Sequence, residues 1–146
     1  AGGCFWGVEH LLRELDGVLE TEVGYTGGAK DDPTYRDVVT GATGHAEAVR
    51  VVFDPRRISY EDVLMHFFRL HDPTTLDRQG NDVGTQYRSA IFVHDESQRE
   101  TANRMKAEVQ TRLSAPIVTE ITDAAPFWPA EDYHQRYLEK RRAGVS

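Results

Sequence analysis

The sequence has a single cysteine, Cys4, among its 146 residues. One cysteine excludes a disulfide within the chain and a zinc site built from cysteines. It is compatible with a reducing compartment, where structural disulfides are rare. Any thiol chemistry in this protein must therefore work with one sulfur or use a second sulfur from another molecule.

Long apolar runs and basic patches are also missing. No stretch approaches the roughly 20 apolar residues of a membrane helix, and residues 1–4 lack the charged and apolar regions of a signal peptide. We therefore expect a cytoplasmic protein with no membrane partner. The net charge of −7 argues against a nucleic-acid partner, which would need clustered lysine and arginine. The one basic cluster, residues 140–142, is interpreted as the solvated end of a helix.

The spacing of the polar residues gives no support for a metal or a nucleotide cofactor. None of the six histidines stands four residues from another, and His66 and His71, five apart, would lie on different helix faces. The sequence contains neither a Gly-x-Gly-x-x-Gly fingerprint nor a phosphate-binding loop. We expect no metal site and no cofactor.

The length suits one domain, residues 1–146, with one hydrophobic core. Apolar periodicity predicts helices and strands that alternate along the chain. The helices are 7–15, 59–71, 95–113 and 130–140, and the strands are 18–25, 45–53, 88–93 and 117–122. Long polar loops cover 26–44, with a short helical turn at 35–39, and 72–87. We predict an α/β (α+β) fold, a two-layer sandwich of helices on one mixed β-sheet, and a monomer.

Cys4 stands directly before the first predicted helix and follows two glycines. Free amide hydrogens and the helix dipole at a helix start stabilise a thiolate, which lowers the pKa of a cysteine and makes it a nucleophile. Phe5 and Trp6 could form an apolar wall beside the sulfur that holds a small group such as a methyl. The alternative is that Cys4 is a small buried hydrophobe and that both aromatics are core.

Glu47 is placed by strand alternation on the same face as Val49, Val51 and Phe53. A carboxyl group on that apolar face would be desolvated, so its pKa would rise and it could donate a proton near neutral pH. The alternative is a glutamate near the strand end that reaches water.

The two long loops contribute tyrosines, Tyr35 in the first and Tyr87 at the end of the second. Tyrosine hydroxyls can donate hydrogen bonds to a negative charge that develops on oxygen. Taken singly, each of them also fits a structural role.

These residues lie in stretches that resemble the A-type peptide-methionine sulfoxide reductases. The stretch Gly3-Cys4-Phe5-Trp6-Gly7 is similar to the signature of that family. Further similar stretches follow in the same order and at the same separations, so that the resemblance covers nearly the whole chain. They are residues 23–28, 44–49, 71–74, 78–82, 86–89 and 130–135.

The resemblance implies a catalytic role for Cys4 and a proton-donating role for Glu47 toward the sulfoxide oxygen. Tyr35 and Tyr87 correspond to hydroxyls that help to hold that oxygen. The thiolate would attack the sulfoxide sulfur, methionine would leave as a thioether, and Cys4 would remain as a sulfenic acid.

The resemblance also implies the substrate and its binding residues. Phe5 and Trp6 correspond to the aromatic pocket for the sulfoxide methyl, and Asp82 to a polar residue that orients the site. The family acts on the S epimer of methionine sulfoxide, free or in proteins, and repairs oxidised proteins. Its fold is ferredoxin-like, and thioredoxin, glutaredoxin or a small thiol is the expected reductant.

The chain departs from the resemblance at both ends. Many members carry further cysteines in a C-terminal tail that resolve the sulfenic acid as a disulfide, and residues 138–146 contain none. Either an external thiol reduces Cys4 directly or the tail has been removed. Members also have a strand that leads into the Gly-Cys motif, of which only residues 1–3 remain here, so we expect that sheet edge to be shortened.

Two competing functions fit part of this pattern. A thiol hydrolase or acyltransferase would pair Cys4 with a histidine base, for which His45 is the candidate. A binding module would hold oxidised methionine or a partner through Phe5 and Trp6 without turnover.

Overall fold

The computed structural model describes residues 1–142, and residues 143–146, the end of the predicted domain, lie outside the described residues. The helices and strands of the described part follow in chain order. The helices are α1 (Phe5–Arg13), α2 (Tyr35–Val39), α3 (Tyr60–Leu70), α4 (Glu96–Gln110) and α5 (Tyr137–Arg142). The strands are β1 (Val18–Thr26), β2 (Ala46–Phe53), β3 (Arg78–Gln79), β4 (Asp82–Val83), β5 (Ala90–Val93), β6 (Glu120–Asp123) and β7 (Trp128–Pro129). Short 3-10 turns cover Thr85–Tyr87 and Asp132–His134.

The mixture of helices and strands agrees with the predicted α/β class, but the backbone hydrogen bonds divide the strands differently. One mixed sheet was predicted, whereas the strands of residues 1–142 pair as β2-β1-β7, as the hairpin β3-β4 and as the parallel pair β5-β6. Between these sheets lies an apolar cavity of ≈180 Å³, whose lining includes Val49 and Val51 of β2 and Ile91 and Phe92 of β5.

The long helices form where the apolar periodicity predicts them. In α3, the Ser59 side chain accepts a hydrogen bond from the Asp62 N–H and caps the helix. The apolar face of α3 packs in a core cluster together with residues of α4 and β5. The buried members of this cluster are Leu64, Phe67, Phe68, Ile91, Val93, Ala102, Met105, Val109 and Ile117. No helix within residues 1–142 is both long and apolar enough to cross a bilayer.

A second core cluster lies where α1 crosses β1. Phe5, Val23, Tyr25, Val38 and Ala130 form it, with Trp6 and Tyr35 packed at its margin. The chemically interesting N-terminus of α1 is therefore anchored to the central strand of the β2-β1-β7 sheet.

The C-terminal segment differs from the predicted helix over 130–140. Only its last part is helical, because the segment first follows the edge of β1. The Gln135 side chain bonds both the N–H of Val23, at 2.9 Å, and its carbonyl, at 2.8 Å. Arg136 then takes a left-handed conformation, with φ of 51°, and its N–H donates to the buried carboxylate of Glu9 at 2.7 Å.

The predicted strand over 117–122 is displaced toward the C-terminus and begins at Glu120. The N–H of Val118 is bound instead to the carbonyl of Pro73, at 2.8 Å. A contact with the loop after α3 therefore takes the place of the strand pairing that was predicted for the first residues of this segment.

Candidate active site

Cys4 occupies the N-cap position of α1, as predicted, and its side chain is partly exposed. Gly3 before it has φ of +100°, and a Cβ atom there would also lie 3.0 Å from the Gln79 side chain. The turn into the helix therefore requires glycine at this position.

The pKa of Cys4 is raised, although its position at a helix start predicted a lowered pKa. Burial of the thiol is the largest cause, and the negative charges of Glu47 and Asp82 add to it. The backbone N–H groups of Trp6 and Gly7 act in the predicted direction but are outweighed. In the free protein at neutral pH the sulfur is therefore mostly a thiol.

Glu47 lies on β2 directly opposite Tyr25 of β1, so the two side chains share one face of the sheet. Its side chain is 1% exposed. Oε1 accepts the N–H of Phe5 at 3.2 Å, which ties the carboxyl group to the residue after Cys4, whereas Oε2 has no partner. Burial raises the pKa of Glu47 to about 7; the Phe5 N–H opposes this shift, and the charge of Asp82 makes a still smaller contribution that raises the pKa. The predicted direction of this shift is confirmed.

The two predicted tyrosines and Asp82 come to the same place from separate loops. Tyr35 is the first residue of α2, Tyr87 ends a 3-10 turn, and Asp82 lies exposed on β4. Burial raises the pKa of both tyrosines, that of Tyr87 to about 12, and the charges of Glu47, Asp82 and Cys4 contribute to both shifts. Because these charges act on both hydroxyls, the groups share one electrostatic environment.

Phe5 and Trp6 lie on different sides of the α1 start. Phe5 is 1% exposed and packs on the ring of Tyr25, with 5.7 Å between the ring centroids. Trp6 is only partly buried, and the ring of Tyr137 stacks on it at 3.9 Å with 14° between the planes. Phe5 is therefore a core residue next to Cys4, whereas part of the Trp6 ring reaches the surface.

His134 is a site residue that the sequence patterns did not identify. Its ring is fully buried, and its Nδ1 accepts the indole N–H of Trp6 at 2.9 Å. The proton of a neutral His134 is therefore on Nε2, which has no partner. The ring also lies 4.4 Å from that of Tyr35 and 4.1 Å from that of Tyr133, between ring centroids.

The sequence carried a weak signal for this group. Residues 130–135 are one of the stretches that resemble the reductases, but nothing in their spacing assigned a role to Glu131 or His134. Their contacts reach Tyr35 and Trp6 across 96 and 128 positions of the chain. Only the fold brings such distant positions together.

His45, the candidate base of a hydrolase, has a structural environment. Its Nδ1 accepts the N–H of Gly28 at 3.0 Å, so that Nε2 carries the proton and donates to the carbonyl of Lys30 at 2.7 Å. Both ring nitrogens therefore hold the loop before β2, and neither is free to act on Cys4. Within residues 1–142, no cluster of three or more His, Cys, Asp or Glu side chains is placed to hold a metal ion.

The assembled groups suit one kind of chemistry. A thiol lies beside a buried carboxyl group that has one unpartnered oxygen and a pKa near neutrality, with two tyrosine hydroxyls and an aromatic wall close by. Such a site can attack an electrophilic atom while protonating an oxygen bound to it.

Comparisons with known proteins agree with this chemistry. The sequence model of the family described as peptide methionine sulfoxide reductase matches residues 1–146. The chain is 56% identical over 140 residues to a peptide methionine sulfoxide reductase MsrA of Methanothermobacter thermautotrophicus, covering 94% of this chain and 83% of that protein.

Solved structures give the same result. The reduced form of Mxr1 from Saccharomyces cerevisiae superposes with a TM-score of 0.93 at 40% identity, covering all of this chain and 85% of the yeast chain. Mxr1 in complex with Trx2 matches with a TM-score of 0.67 at 28% identity, covering 94% and 80% of the two chains. The chain belongs to the peptide methionine sulfoxide reductase family.

Proposed function

We propose that this enzyme reduces the S epimer of methionine sulfoxide, free or in proteins, with Cys4 as nucleophile and Glu47 as proton donor. The observation that carries the proposal is the buried Glu47 carboxyl group, whose Oε2 has no partner and whose pKa is about 7. A sulfoxide oxygen is a hydrogen-bond acceptor that could use this group in its protonated form.

The reaction transfers one oxygen atom and two electrons. The proton of the Cys4 thiol passes to the sulfoxide oxygen through Glu47, and the sulfur of Cys4 attacks the sulfoxide sulfur. The attack joins the two sulfur atoms, and the protonated oxygen then moves from the substrate sulfur to the sulfur of Cys4. The bond between the substrate sulfur and the oxygen and the bond between the two sulfur atoms both break, which leaves Cys4 as a sulfenic acid. Methionine leaves as a thioether, so the substrate sulfur is reduced and Cys4 is oxidised.

Epimer selectivity follows from holding two substituents of the chiral sulfur at once. The methyl group would lie on Phe5 and Trp6, while the oxygen binds Glu47 and the hydroxyls of Tyr35 and Tyr87. Asp82 would orient the substrate at the rim. Support comes from the charges of Glu47 and Cys4, which act on both tyrosine hydroxyls, and from the packing of Phe5, Trp6 and Tyr35 in one cluster.

Cys4 is the one cysteine of residues 1–146, and we propose that a thiol of another molecule regenerates it. Thioredoxin, glutaredoxin or a small thiol would attack the sulfenic acid on Cys4. The solved complex of the related yeast protein Mxr1 with Trx2 supports thioredoxin among these. We further propose a monomer that works in the cytoplasm, where thiols are kept reduced, without a nucleic-acid or membrane partner.

The finer description of the fold is also a proposal. A ferredoxin-like sandwich is supported by the packing of α1 on β1 and β2, and by that of α4 on α3, β5 and β6. In such a sandwich the start of α1 and the β1-β2 pair would present Cys4 and Glu47 at one end of the sheet.

A single-turnover assay without reductant tests the proposed function. The S and R epimers of a blocked methionine sulfoxide are each mixed with excess enzyme, and methionine is counted per Cys4. We expect about one equivalent from the S epimer only, with a sulfenic acid that can be trapped on Cys4. Equal yields from both epimers would contradict the selectivity. No methionine from either, in protein with a free thiol, would contradict the reductase activity of this chain.

Replacing His134 with phenylalanine is expected to weaken substrate binding, because the Trp6 ring would no longer be held in place by its hydrogen bond to His134. The indole N–H would lose its buried acceptor, which costs about 1–3 kcal/mol for an unsatisfied group. We expect KM for the blocked sulfoxide to rise about tenfold with a smaller change in kcat, since methyl binding acts on substrate and transition state alike. In a Trp128→Phe background the emission of Trp6 should shift to the red.

The exposed His94 provides the matched control, because His94→Phe removes a surface histidine and should leave KM and emission unchanged. A KM within about twofold of the parent, in a His134→Phe variant of normal stability, would show that Trp6 does not depend on this hydrogen bond.

A further inference from the structure

The carboxylate of Glu131 joins two elements that carry parts of the site. Glu131 lies between β7 and the 3-10 turn Asp132–His134. Its Oε1 accepts the hydroxyl of Tyr25 at 2.8 Å, and its Oε2 accepts the backbone N–H of Tyr35 at 3.0 Å. One side chain therefore connects β1 with the first residue of α2.

The charge of Glu131 strengthens both contacts. Burial works against its ionisation. The hydrogen bonds from the Tyr35 N–H, from its own N–H and from the Tyr25 hydroxyl, together with the charge of His134, outweigh burial, so the pKa of Glu131 is lowered. The group is therefore ionised at neutral pH, and hydrogen bonds to an ionised acceptor are about twice as strong as neutral ones.

The helix that begins at Tyr35 needs such an external partner. It has five residues, far fewer than an isolated helix needs for stability. The Thr34 side chain caps the N–H of Asp37, which leaves the N–H of Tyr35 among the unpaired donors of the first turn. Glu131 binds that donor, and His134 of the same turn packs against the Tyr35 ring with 4.4 Å between the ring centroids.

The contacts form a continuous path from the proton donor to the tyrosine. Glu47 and Tyr25 are opposite each other in the β1-β2 register, the Tyr25 hydroxyl binds Glu131, and Glu131 binds the Tyr35 backbone. An ionised side chain from a third segment is therefore one of the groups that fix the position of Tyr35 relative to Glu47.

We propose that Glu131 is a positioning residue that holds Tyr35 in place to bind the oxygen of the substrate. This inference rests on the proposed function, which assigns oxygen binding to the hydroxyls of Tyr35 and Tyr87. It concerns the geometry of the oxygen site and gives Glu131 no direct contact with substrate.

Glu131→Gln tests the proposal because it removes the negative charge that strengthens the hydrogen bond from the Tyr35 N–H. Single-turnover rates on the S epimer are measured for this change in three backgrounds. We expect a loss of about threefold in the wild type and about tenfold in Tyr87→Phe, where Tyr35 is the one remaining hydroxyl. In Tyr35→Phe the same change should cost less than about twofold, since there is no hydroxyl left to position.

A merely structural role predicts a different pattern. Loss of stability alone would lower the rate by the same factor in all three backgrounds, and that result would overturn the proposal. Asp132→Asn, an exposed neighbour whose side chain makes neither contact, is the matched control and should leave all rates unchanged. Tyr25→Phe removes the other partner of Glu131 but keeps the Tyr35 contact, so its loss should be smaller than that of Glu131→Gln.

A second variant keeps the test valid if Glu131→Gln folds poorly. Glu131→Asp retains the charge but is one methylene shorter, so it cannot span both donors, and it should give the same dependence on background. A wild type that makes no methionine would refute the proposed function itself. An active wild type, slowed by loss of both tyrosine hydroxyls but with equal Glu131 effects in every background, would refute only the positioning role.

Discussion

Replacing Cys4 with serine is expected to abolish methionine production, by more than about 10⁴-fold, the order of loss when an enzyme loses its nucleophile. A serine hydroxyl is a far weaker nucleophile toward sulfur than a thiol or thiolate. Oxygen transfer to serine would also produce a peroxide, whereas a cysteine forms a stable sulfenic acid. The loss should therefore lie in the chemical step.

The same variant separates catalysis from simple binding. Phe5, Trp6, Glu47 and the tyrosines remain in place in Cys4→Ser, so the blocked S sulfoxide should still change the fluorescence of Trp6 with nearly unchanged affinity. The measurement pairs that titration with the single-turnover assay. Retained turnover in Cys4→Ser would exclude Cys4 as the nucleophile. If the wild type itself binds without turnover, the chain is a binding module.

The positions of Cys4 and Glu47 could be predicted because their signals are local. Cys4 next to a helix start depends on a few neighbouring residues, and the face of Glu47 follows from alternation within one strand. Both predictions stay the same even when the predicted boundaries of the helix and the strand are wrong by a few residues. The α1, β1, β2 and α3 segments, which position these residues, were predicted for the same reason.

The electrostatics of Cys4 could not be predicted from its position alone. The helix start does act as expected through the N–H groups of Trp6 and Gly7. Burial of the thiol and the approach of Glu47 and Asp82 are tertiary effects, and they reverse the sign of the pKa shift. A sequence pattern does not show how deeply the thiol is buried or how close these two carboxyl groups come to it.

The C-terminal segment was predicted least well because its conformation is set by partners far away in the sequence. Residues 130–140 have helical periodicity, yet Gln135 bonds β1 and Arg136 bonds Glu9 of α1. The same long-range contacts place Glu131 and His134 in the site. The error in secondary structure and the missed site residues thus have one cause.

Replacing Glu47 with glutamine is expected to slow the reductase step by about 10²–10⁴-fold near neutral pH, the usual contribution of a positioned proton donor. The amide keeps an acceptor for the Phe5 N–H, so the fold should be preserved. It cannot transfer a proton to the sulfoxide oxygen. Glu9→Gln, at an equally buried glutamate that contacts Thr21 and Arg136, is the matched control and should react at the wild-type rate.

The pH dependence gives a sharper test, and its sign follows from the two pKa values. The pKa of Glu47 is about 7, and that of Cys4 is raised above its usual value. Below about pH 7 both Glu47 and Cys4 are protonated. At pH values between the two pKa values, the pair carries a single proton. The reactive arrangement, a thiolate beside a protonated Glu47, is the minor form of that one-proton state.

Because the reactive form belongs to the one-proton state, kcat/KM should rise as pH increases through about 7 and then level off, rather than fall when Glu47 ionises. Glu47→Gln should lose the inflection near pH 7 and rise only as the thiol ionises. Its thiol should titrate at lower pH, since the negative charge of Glu47 is gone. Profiles of kcat/KM from about pH 5 to about pH 9.5, with direct titration of the Cys4 thiolate, measure both effects. An unchanged rate and inflection in Glu47→Gln would exclude Glu47 as the proton donor and leave the tyrosine hydroxyls as the acids to test.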